Sequence, residues 1–309
     1  MKHLWSGLTT VTLCILLVLP SRAAEDLPRF QFRCGTKGHG DSRFDRPNGI
    51  AVDSGGTIYV ADTLNSRIQV LDCRGKFLTR WGSFGSGAGM FKFPQGIEIS
   101  STGEIYVADT YNNRIQKFDR KGRFLAKWGS VGTNAGQFNQ PKGVAVSSSG
   151  EVYVADTYND RIQRFDGNGA FLSQWGTSGK GDGQFQYPNA VATDRDGNVY
   201  VADTLNRRIQ RFDREGRFLA KWGSGGSGDG QFQYPGDLAV DLSGNVYVLD
   251  TYNDRIQVFD SRGVFRSKWG APGDGDGQMQ FPNAIAVDSS GNVYVADTGN
   301  SRIQVFGRK

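Results

Sequence analysis

The feature that most constrains the fold of this chain is a unit that recurs six times at a fixed spacing. Each copy opens with a proline, and successive opening prolines lie 47 residues apart: Pro47, Pro94, Pro141, Pro188, Pro235 and Pro282. A period of roughly 40 to 50 residues filled with short strand patterns is typical of a β-propeller or a solenoid, since one such unit cannot bury its apolar faces alone. We therefore expect repeated sheets that stack on one another.

Each repeat contains four strand patterns that are separated by short turns. In the second repeat they cover residues 96–99, 104–108, 114–118 and 123–128. The turns between them are short enough to make neighbouring strands antiparallel. The repeat therefore predicts a small four-stranded antiparallel sheet that must pack against copies of itself.

The two ends of the chain indicate that the stack is closed into a ring. The sixth repeat stops at Phe306 and Gly307, after its third strand pattern, and residues 30–34 match the missing outermost strand of the other repeats. In that alignment Cys34 takes the place of a repeated tryptophan. An N-terminal strand that completes the last blade leaves no free long edge. The predicted fold is an all-β six-bladed propeller over residues 25–309, a single domain.

The motif Asp-Thr-x-Asn-x-Arg-Ile-Gln follows the second strand pattern of every repeat. On this motif the chain resembles the NHL-repeat family over essentially all of residues 25–309. The resemblance implies a six-bladed propeller. It narrows function much less, because NHL-type propellers include interaction domains of ubiquitin ligases, RNA-binding repressors, extracellular sensor domains and a peptide-amidating lyase.

The acids and arginines of the motif occur in every blade, whereas a catalytic site needs one copy. We therefore expect them to be structural, with each Asp accepting backbone N–H bonds at the turn and each Arg pairing with a nearby carboxylate. The acids are Asp62, Asp109, Asp156, Asp203, Asp250 and Asp297, and the arginines are Arg67, Arg114, Arg161, Arg208, Arg255 and Arg302.

Residues 1–24 are typical of a cleaved export signal, with Lys2 at the start, an apolar run and small residues near Ala23. We therefore expect an exported protein, periplasmic or extracellular, with no transmembrane segment. Loss of Lys2 and Arg22 lowers the formal net charge from +5 to +3, which does not favour a nucleic-acid partner. Cys34 and Cys73 then remain, and we expect both to be free thiols, with Cys73 the more exposed.

The sequence contains few of the residue types from which catalytic sites are usually built. After cleavage His39 is the only histidine, so a three-histidine zinc site cannot form. A lactonase-like calcium centre needs only oxygen ligands, and Glu98 and Asp237 are its candidate catalytic residues in the channel. Glu98 replaces the alanine of other repeats on the innermost strand. Metal-assisted hydrolase or lyase chemistry is therefore an alternative function, although no cofactor is expected and calcium is left open.

Function in a propeller should lie where the repeats differ on one face. The links into the first strand and the turns between the second and third strands share a face. Amides with exposed tyrosines suit a protein, peptide or glycan. The candidate ligand-face residues are Asn48, Gln95, Lys142, Asn189, Asp237, Asn283, Tyr111, Tyr158 and Tyr252.

Basic residues collect on the opposite face and offer a second alternative, adhesion to an acidic surface. They are Arg74, Lys76, Arg120, Lys121, Arg123, Arg214, Arg217 and Arg262. The sequence as a whole predicts an exported, monomeric, non-catalytic binding propeller.

Overall fold

The computed structural model describes residues 27–307, so the predicted leader lies outside the described residues. Six four-stranded antiparallel sheets stand around a central channel as the blades of a propeller. Blade 1 follows the first repeat, and the others follow in chain order. In the described part of the chain no helix is long and apolar enough to cross a membrane.

The first strand of each blade lines the channel and begins at or just after the opening proline. These strands are Pro47–Val52, Pro94–Ile99, Val144–Val146, Pro188–Thr193, Pro235–Val240 and Ala284–Val287. The second strands are buried along their whole length because they pack between two neighbouring blades. They are Ile58–Asp62, Ile105–Asp109, Val152–Asp156, Val199–Asp203, Val246–Asp250 and Val293–Asp297.

The third strands carry the Arg-Ile-Gln part of the motif: Arg67–Leu71, Arg114–Phe118, Arg161–Phe165, Arg208–Phe212, Arg255–Phe259 and Arg302–Gly307. Between second and third strands the chain makes a single turn, which is a 3-10 helix in four blades: Thr63–Asn65, Thr110–Asn112, Thr157–Asn159 and Thr251–Asn253. The outer strands of blades 1 to 5 are Phe77–Trp81, Phe124–Trp128, Phe171–Trp175, Phe218–Trp222 and Phe265–Trp269. Two-residue parallel pairs join Thr36–Lys37 to Arg43–Phe44 and Ala271–Pro272 to Gln278–Met279.

The N-terminal strand Arg29–Cys34 forms the outer strand of blade 6, which confirms the predicted ring closure. It runs antiparallel to the last strand, with Arg29 opposite Gly307 and Cys34 opposite Ile303. Phe30 and Phe306 also meet edge to face with ring centroids 6.2 Å apart. The two ends of the described chain are thereby held in one sheet.

The core consists of separate clusters between successive blades. The repeated tryptophans close these clusters at the outside, as in blade 1, where the Trp81 ring lies 5.8 Å from Phe118 of blade 2. Gly122 of blade 2 has to be glycine because a Cβ there would lie 2.6 Å from the Trp81 ring. Blade-to-blade sealing by tryptophan therefore follows from this packing.

Both cysteines are free, as the sequence predicts, and Cys73 is the more exposed. Cys34 packs against Gly75, which lies in the same turn as Cys73. Burial raises the pKa of the Cys34 thiol to about 12, with a smaller contribution from Asp72. Cys34 is therefore a packing residue and a poor nucleophile.

Candidate functional site

The main cavity of the described molecule is the central channel, with a volume of about 620 Å³. It is lined by the first strands of all six blades and opens on the face that carries the turns of the repeated motif. The six predicted residues after the opening prolines all line it: Asn48, Gln95, Lys142, Asn189, Asp237 and Asn283. The structure therefore brings one polar position from every blade into a single cavity.

Glu98 lies deeper in this channel, on the first strand of blade 2. Its Oε1 accepts a 3.0 Å hydrogen bond from the backbone N–H of Ile99. Burial raises the pKa of Glu98 to about 7, and the charge of Asp237 adds to the increase. The side chain is therefore partly protonated at neutral pH, which is the property expected of a proton donor or acceptor.

Asp237 links blade 5 to blade 6. Its Oδ2 accepts from the N–H of Ile285 at 2.8 Å, and its Oδ1 accepts from the N–H of Leu238 at 2.9 Å. At the same repeat position the other blades have glycine or alanine, as at Gly49. Burial raises the pKa of Asp237 to about 7 in spite of both hydrogen bonds. Asp237 is thus both a structural link and an ionisable group facing the channel.

Lys142 of blade 3 is the third perturbed group in the cavity. Its Nζ lies 2.5 Å from the hydroxyl of Tyr187 and 4.5 Å from the centroid of the same ring. Burial lowers the pKa of Lys142 to about 8. Within residues 27–307 Lys142 has no carboxylate partner in an ion pair, and Glu98 and Asp237 have no cationic one. The channel therefore contains charges of both signs that the described protein does not neutralise.

Aromatic side chains surround the channel mouth from blade 2 to blade 6. Three were predicted, and about half of each is exposed: Tyr111, Tyr158 and Tyr252. Each contacts a second aromatic residue that the sequence analysis did not select, at centroid distances of 5.0 Å for Phe93, 5.1 Å for Tyr187 and 4.6 Å for Tyr234. We call the aromatic arc the set of Phe93, Tyr111, Tyr158, Tyr187, Tyr234, Tyr252 and Phe281.

The four missed members of the arc occupy one repeat position, immediately before the opening proline. Three of them, Phe93, Tyr187 and Phe281, have left-handed backbone conformations with φ of 51°, 58° and 44°. Bulky residues rarely adopt positive φ, and proline further disfavours a helical conformation before it. Arg46 and Gln140 have the same conformation at this position, so it belongs to the repeat and does not by itself mark a functional site. The sequence signal was the aromatic residue before the opening proline in four of the six repeats.

The repeated Asp and Arg residues lie away from the channel and hold the links between blades. In blade 4, Arg208 Nε donates to Asp203 Oδ2 at 2.6 Å, and its two Nη atoms donate to the carbonyls of Lys180, Gly181 and Gln184. Asp203 Oδ1 accepts from the N–H of Gln186, in the incoming link. The sequence predicts that this N–H belongs to the turn. The N–H bonded by the aspartate belongs instead to the link, because the link folds back over the buried carboxylate.

The described residues contain no group of three or more His, Cys, Asp or Glu side chains placed to hold a metal ion. Glu98 and Asp237 already accept backbone N–H bonds. A calcium ion in the channel would therefore need most of its ligands from amide, backbone or water oxygens. The side chains present do not by themselves form a calcium site.

Four of the eight arginines and lysines of the predicted basic ring pair with acids of their own turns. Arg123 pairs with Asp119 at 2.5 Å, Arg214 with Glu215 at 2.9 Å and Arg262 with Asp260 at 3.6 Å, and Arg217 pairs with Asp213. These exposed pairs reduce the local positive charge. The opposite face is accordingly less basic than its arginine content suggests.

Comparison with known families fits this architecture. A model of the NHL repeat matches residues 44–71, 91–118, 138–165, 185–212, 232–259 and 279–306. The chain belongs to the NHL-repeat family. A comparison with curated protein sequences finds no significant match.

Solved structures with the same fold include two enzymes. This NHL-repeat chain is similar to a streptogramin B lyase structure, with 16% identity and a TM-score of 0.64 over 90% of this chain and 98% of the other. It is also similar to a gluconolactonase from Xanthomonas campestris, with 14% identity and a TM-score of 0.67 over 94% and 99%. A Bacteroides thetaiotaomicron protein of unknown function gives 17% identity and a TM-score of 0.72 over 90% and 76%. At these identities the similarity extends to the fold alone.

Proposed function

We propose that this NHL-repeat propeller is a non-catalytic binding platform that recognises a protein, peptide or glycan at the channel mouth. The observation that carries the proposal is the aromatic arc, which surrounds a cavity lined by a polar residue from each blade. Exposed aromatic rings supply contact area, and the amides and charges inside the cavity supply orientation. No other surface of the described chain combines these features.

The arc also explains why the binding face would be specific. Tyr158 and Tyr187 meet edge to face, while Tyr234 and Tyr252 are stacked with an interplanar angle of 28°. Rings fixed by such contacts lose little conformational entropy when a ligand packs on them. A ligand that matches their spacing gains affinity over one that does not.

The test is a selection from a displayed random-peptide library and a glycan array, made in parallel with three proteins. One is the unmodified protein, one carries Tyr111→Ser and Tyr158→Ser, and the third carries Arg123→Ser and Arg217→Ser on the opposite face. We expect ligands of the unmodified protein to be lost by the tyrosine variant and kept by the arginine variant. Ligands kept by the tyrosine variant and lost by the arginine variant would instead support adhesion through the basic ring.

A second candidate function is metal-assisted hydrolysis or lyase chemistry in the channel. Two carboxyl groups with a pKa of about 7 in one cavity favour it. Elemental analysis of the dialysed protein tests it directly. About one calcium or zinc ion per chain, lost in Glu98→Gln, would favour the enzyme over the binding platform.

We also propose that the propeller acts as a monomer outside the cytoplasm, in the periplasm or the extracellular space. The support is the leader-like residues 1–24 of the sequence. N-terminal sequencing of the mature protein should find a start near residue 24. A chain that retains Met1 would contradict export by a cleaved signal.

A further inference from the structure

Blade 5 differs from the other blades at the channel mouth. The position after its opening proline is Gly236, where the others have Asn48, Gln95, Lys142, Asn189 or Asn283. The next position is Asp237, where the others have glycine or alanine. In a molecule made of near-identical repeats, such a local departure marks the blade that has a separate task.

The glycine makes room for a buried hydroxyl, and we call this part of the channel mouth the notch. A Cβ built on Gly236 would lie 2.2 Å from Thr251 Oγ, so the usual asparagine side chain would collide with this hydroxyl as it now stands. Thr251 is only 2% exposed and lines the channel, yet its Oγ has no hydrogen-bond partner in the described structure.

Equivalent threonines in other blades show what Thr251 lacks. In three blades the hydroxyl donates to the carbonyl of the opening proline in the next blade: Thr63 to Pro94 at 2.7 Å, Thr204 to Pro235 at 2.8 Å, and Thr298 to Pro47 across the ring closure. In blades 2 and 3 the hydroxyl donates only to the carbonyl two residues earlier, at 3.4 and 3.3 Å. Thr251 Oγ makes neither bond, so its O–H and its lone pairs are both left for a ligand or water.

A second buried oxygen without a partner borders the same notch. Asn189 Nδ2 donates to the carbonyl of Gly236 at 2.6 Å, while Asn189 Oδ1 is buried and accepts no hydrogen bond within residues 27–307. On the other side, Asp237 reaches across to blade 6. The notch thus collects hydrogen-bond acceptors. Lys142 lines the same cavity, but no ion pair in the described chain includes Asp237 or Glu98.

Aromatic rings cover the outer side of this notch. Tyr234 stacks on Tyr252, and Tyr252 lies 6.0 Å from Phe281 of blade 6 in an edge-to-face contact. All three line the cavity together with Gly236 and Thr251. Electron-rich ring faces above hydrogen-bond acceptors suit a group that is positively charged and has several N–H donors.

We propose that the notch at blade 5, formed by Gly236, Thr251, Asp237 and Asn189 beneath Tyr234 and Tyr252, binds a primary ammonium group of the ligand. The ammonium donates to Asn189 Oδ1 and to a lone pair of Thr251 Oγ, whose own O–H is left to donate to a water or to a polar atom of the ligand. The carboxylates of Asp237 at the notch and of Glu98 on blade 2 of the same channel balance the charge of the ammonium. Peptides with a free N-terminus or a lysine side chain carry such a group. This proposal rests on the binding function proposed above and names the chemistry of its ligand.

The test measures binding of benzylamine, with benzyl alcohol as its uncharged counterpart and glucose as a sugar probe, by isothermal titration and saturation-transfer NMR. We expect benzylamine to bind with a dissociation constant of about 1 mM or below, at least tenfold tighter than benzyl alcohol. Gly236→Asn restores the residue of other blades and should weaken benzylamine at least tenfold. Thr251→Val should weaken it about fivefold.

Ser243→Asn is the control, since it puts the same side chain on the exposed turn at the other end of blade 5. It should leave benzylamine affinity unchanged. Equal binding of benzylamine and benzyl alcohol, binding of glucose alone, or affinity unaffected by Gly236→Asn would overturn the ammonium site. If library ligands are still lost in the tyrosine variant, the binding platform stands and only this inference fails.

Discussion

At the scale of single residues, the buried Asp and Arg pairs repeat one geometry in all six blades, with Nε to Oδ2 distances of 2.6 to 3.1 Å. Each arginine also donates to carbonyls of the link that enters its blade, as Arg208 does. These carbonyls belong to the links between blades, where sheet pairing is at most two residues long. The guanidinium groups therefore fix the links that shape the channel mouth.

Replacing one of these arginines should be strongly destabilising. Arg208→Met leaves the Asp203 carboxylate buried without its cation and several carbonyls without a donor, which costs about 3–5 kcal/mol. Urea unfolding measures the loss. Arg195→Met, at an exposed turn of the same blade, should change the unfolding free energy by less than about 0.5 kcal/mol. A similar small effect of Arg208→Met would contradict the structural role.

Glu98 should make stability depend on pH in the opposite sense to an ordinary paired acid. Its pKa rises from 4.5 to about 7 on folding, so the folded state holds a proton that the unfolded state has released between these pH values. The contribution of Glu98 to stability therefore falls as pH rises from about 4.5 to 7. The glutamine side chain in Glu98→Gln cannot ionise, so the variant lacks this pH-dependent loss of stability.

We compare the unfolding free energy of Glu98→Gln with that of the unmodified protein at pH 5 and at pH 8. The difference should be more favourable to the variant at pH 8 than at pH 5 by about 1–2 kcal/mol. Asp237 and all other acids remain in both proteins, so the difference reports the ionisation of Glu98 together with its coupling to Asp237. Glu215→Gln, at an exposed turn, should show no such change between the two pH values. A stability difference for Glu98→Gln that is the same at both pH values would show that its pKa is not raised.

At the scale of secondary structure, the strand Arg29–Cys34 closes the ring by pairing with Arg302–Gly307. Without it, the last strand of blade 6 would present an unpaired edge, and Phe306 would lose its contact with Phe30. Ring closure is thus provided by backbone pairing between residues that are far apart in the sequence.

Deletion of residues 29–34 should lower the melting temperature by roughly 10 °C or more, which corresponds to several kcal/mol in a protein of this size. Differential scanning calorimetry measures the change, and light scattering reports association through the exposed edge. Removal of residues 27–28 alone leaves the strand intact and serves as the control. An unchanged melting temperature after the larger deletion would contradict closure by this strand.

Most strands and their order could be predicted from the sequence because each strand pattern repeats at a fixed period. The predicted strands at residues 96–99 and 123–128 agree with Pro94–Ile99 and Phe124–Trp128 to within two residues. The placement of residues 30–34 as the outer strand of the last blade also followed from counting repeats. The repeat period and the turn lengths are sufficient to predict strand positions and ring closure, because these features do not depend on particular side-chain contacts.

The site was less predictable because it depends on contacts between blades. Phe93, Tyr187, Tyr234 and Phe281 precede the opening prolines, a position that a strand pattern does not place on either face. Their contacts with tyrosines of the turns place their rings at the mouth. The notch at Gly236 required the position of Thr251, and the raised pKa of Glu98 required the closed channel around it.

At the scale of the whole molecule, the residues that hold the ring together are distinct from those that differ between blades at the channel mouth. The Asp and Arg motif, the tryptophans and the closing strand are alike around the ring and hold it together. The channel mouth differs from blade to blade, with the aromatic arc on blades 2 to 6 and the notch on blade 5. We therefore expect ligands to bind at one asymmetric face of a symmetric scaffold.

Hydrogen-deuterium exchange with and without a library-selected ligand tests that claim most directly. We expect ligand-dependent protection in peptides that cover residues 91–95, 187–191 and 234–238, at the channel mouth. Peptides that cover the turns before the outer strands, residues 119–123 and 213–217, should exchange at the same rate in both samples. Protection confined to those turns, with the mouth unchanged, would contradict the assignment of recognition to this face.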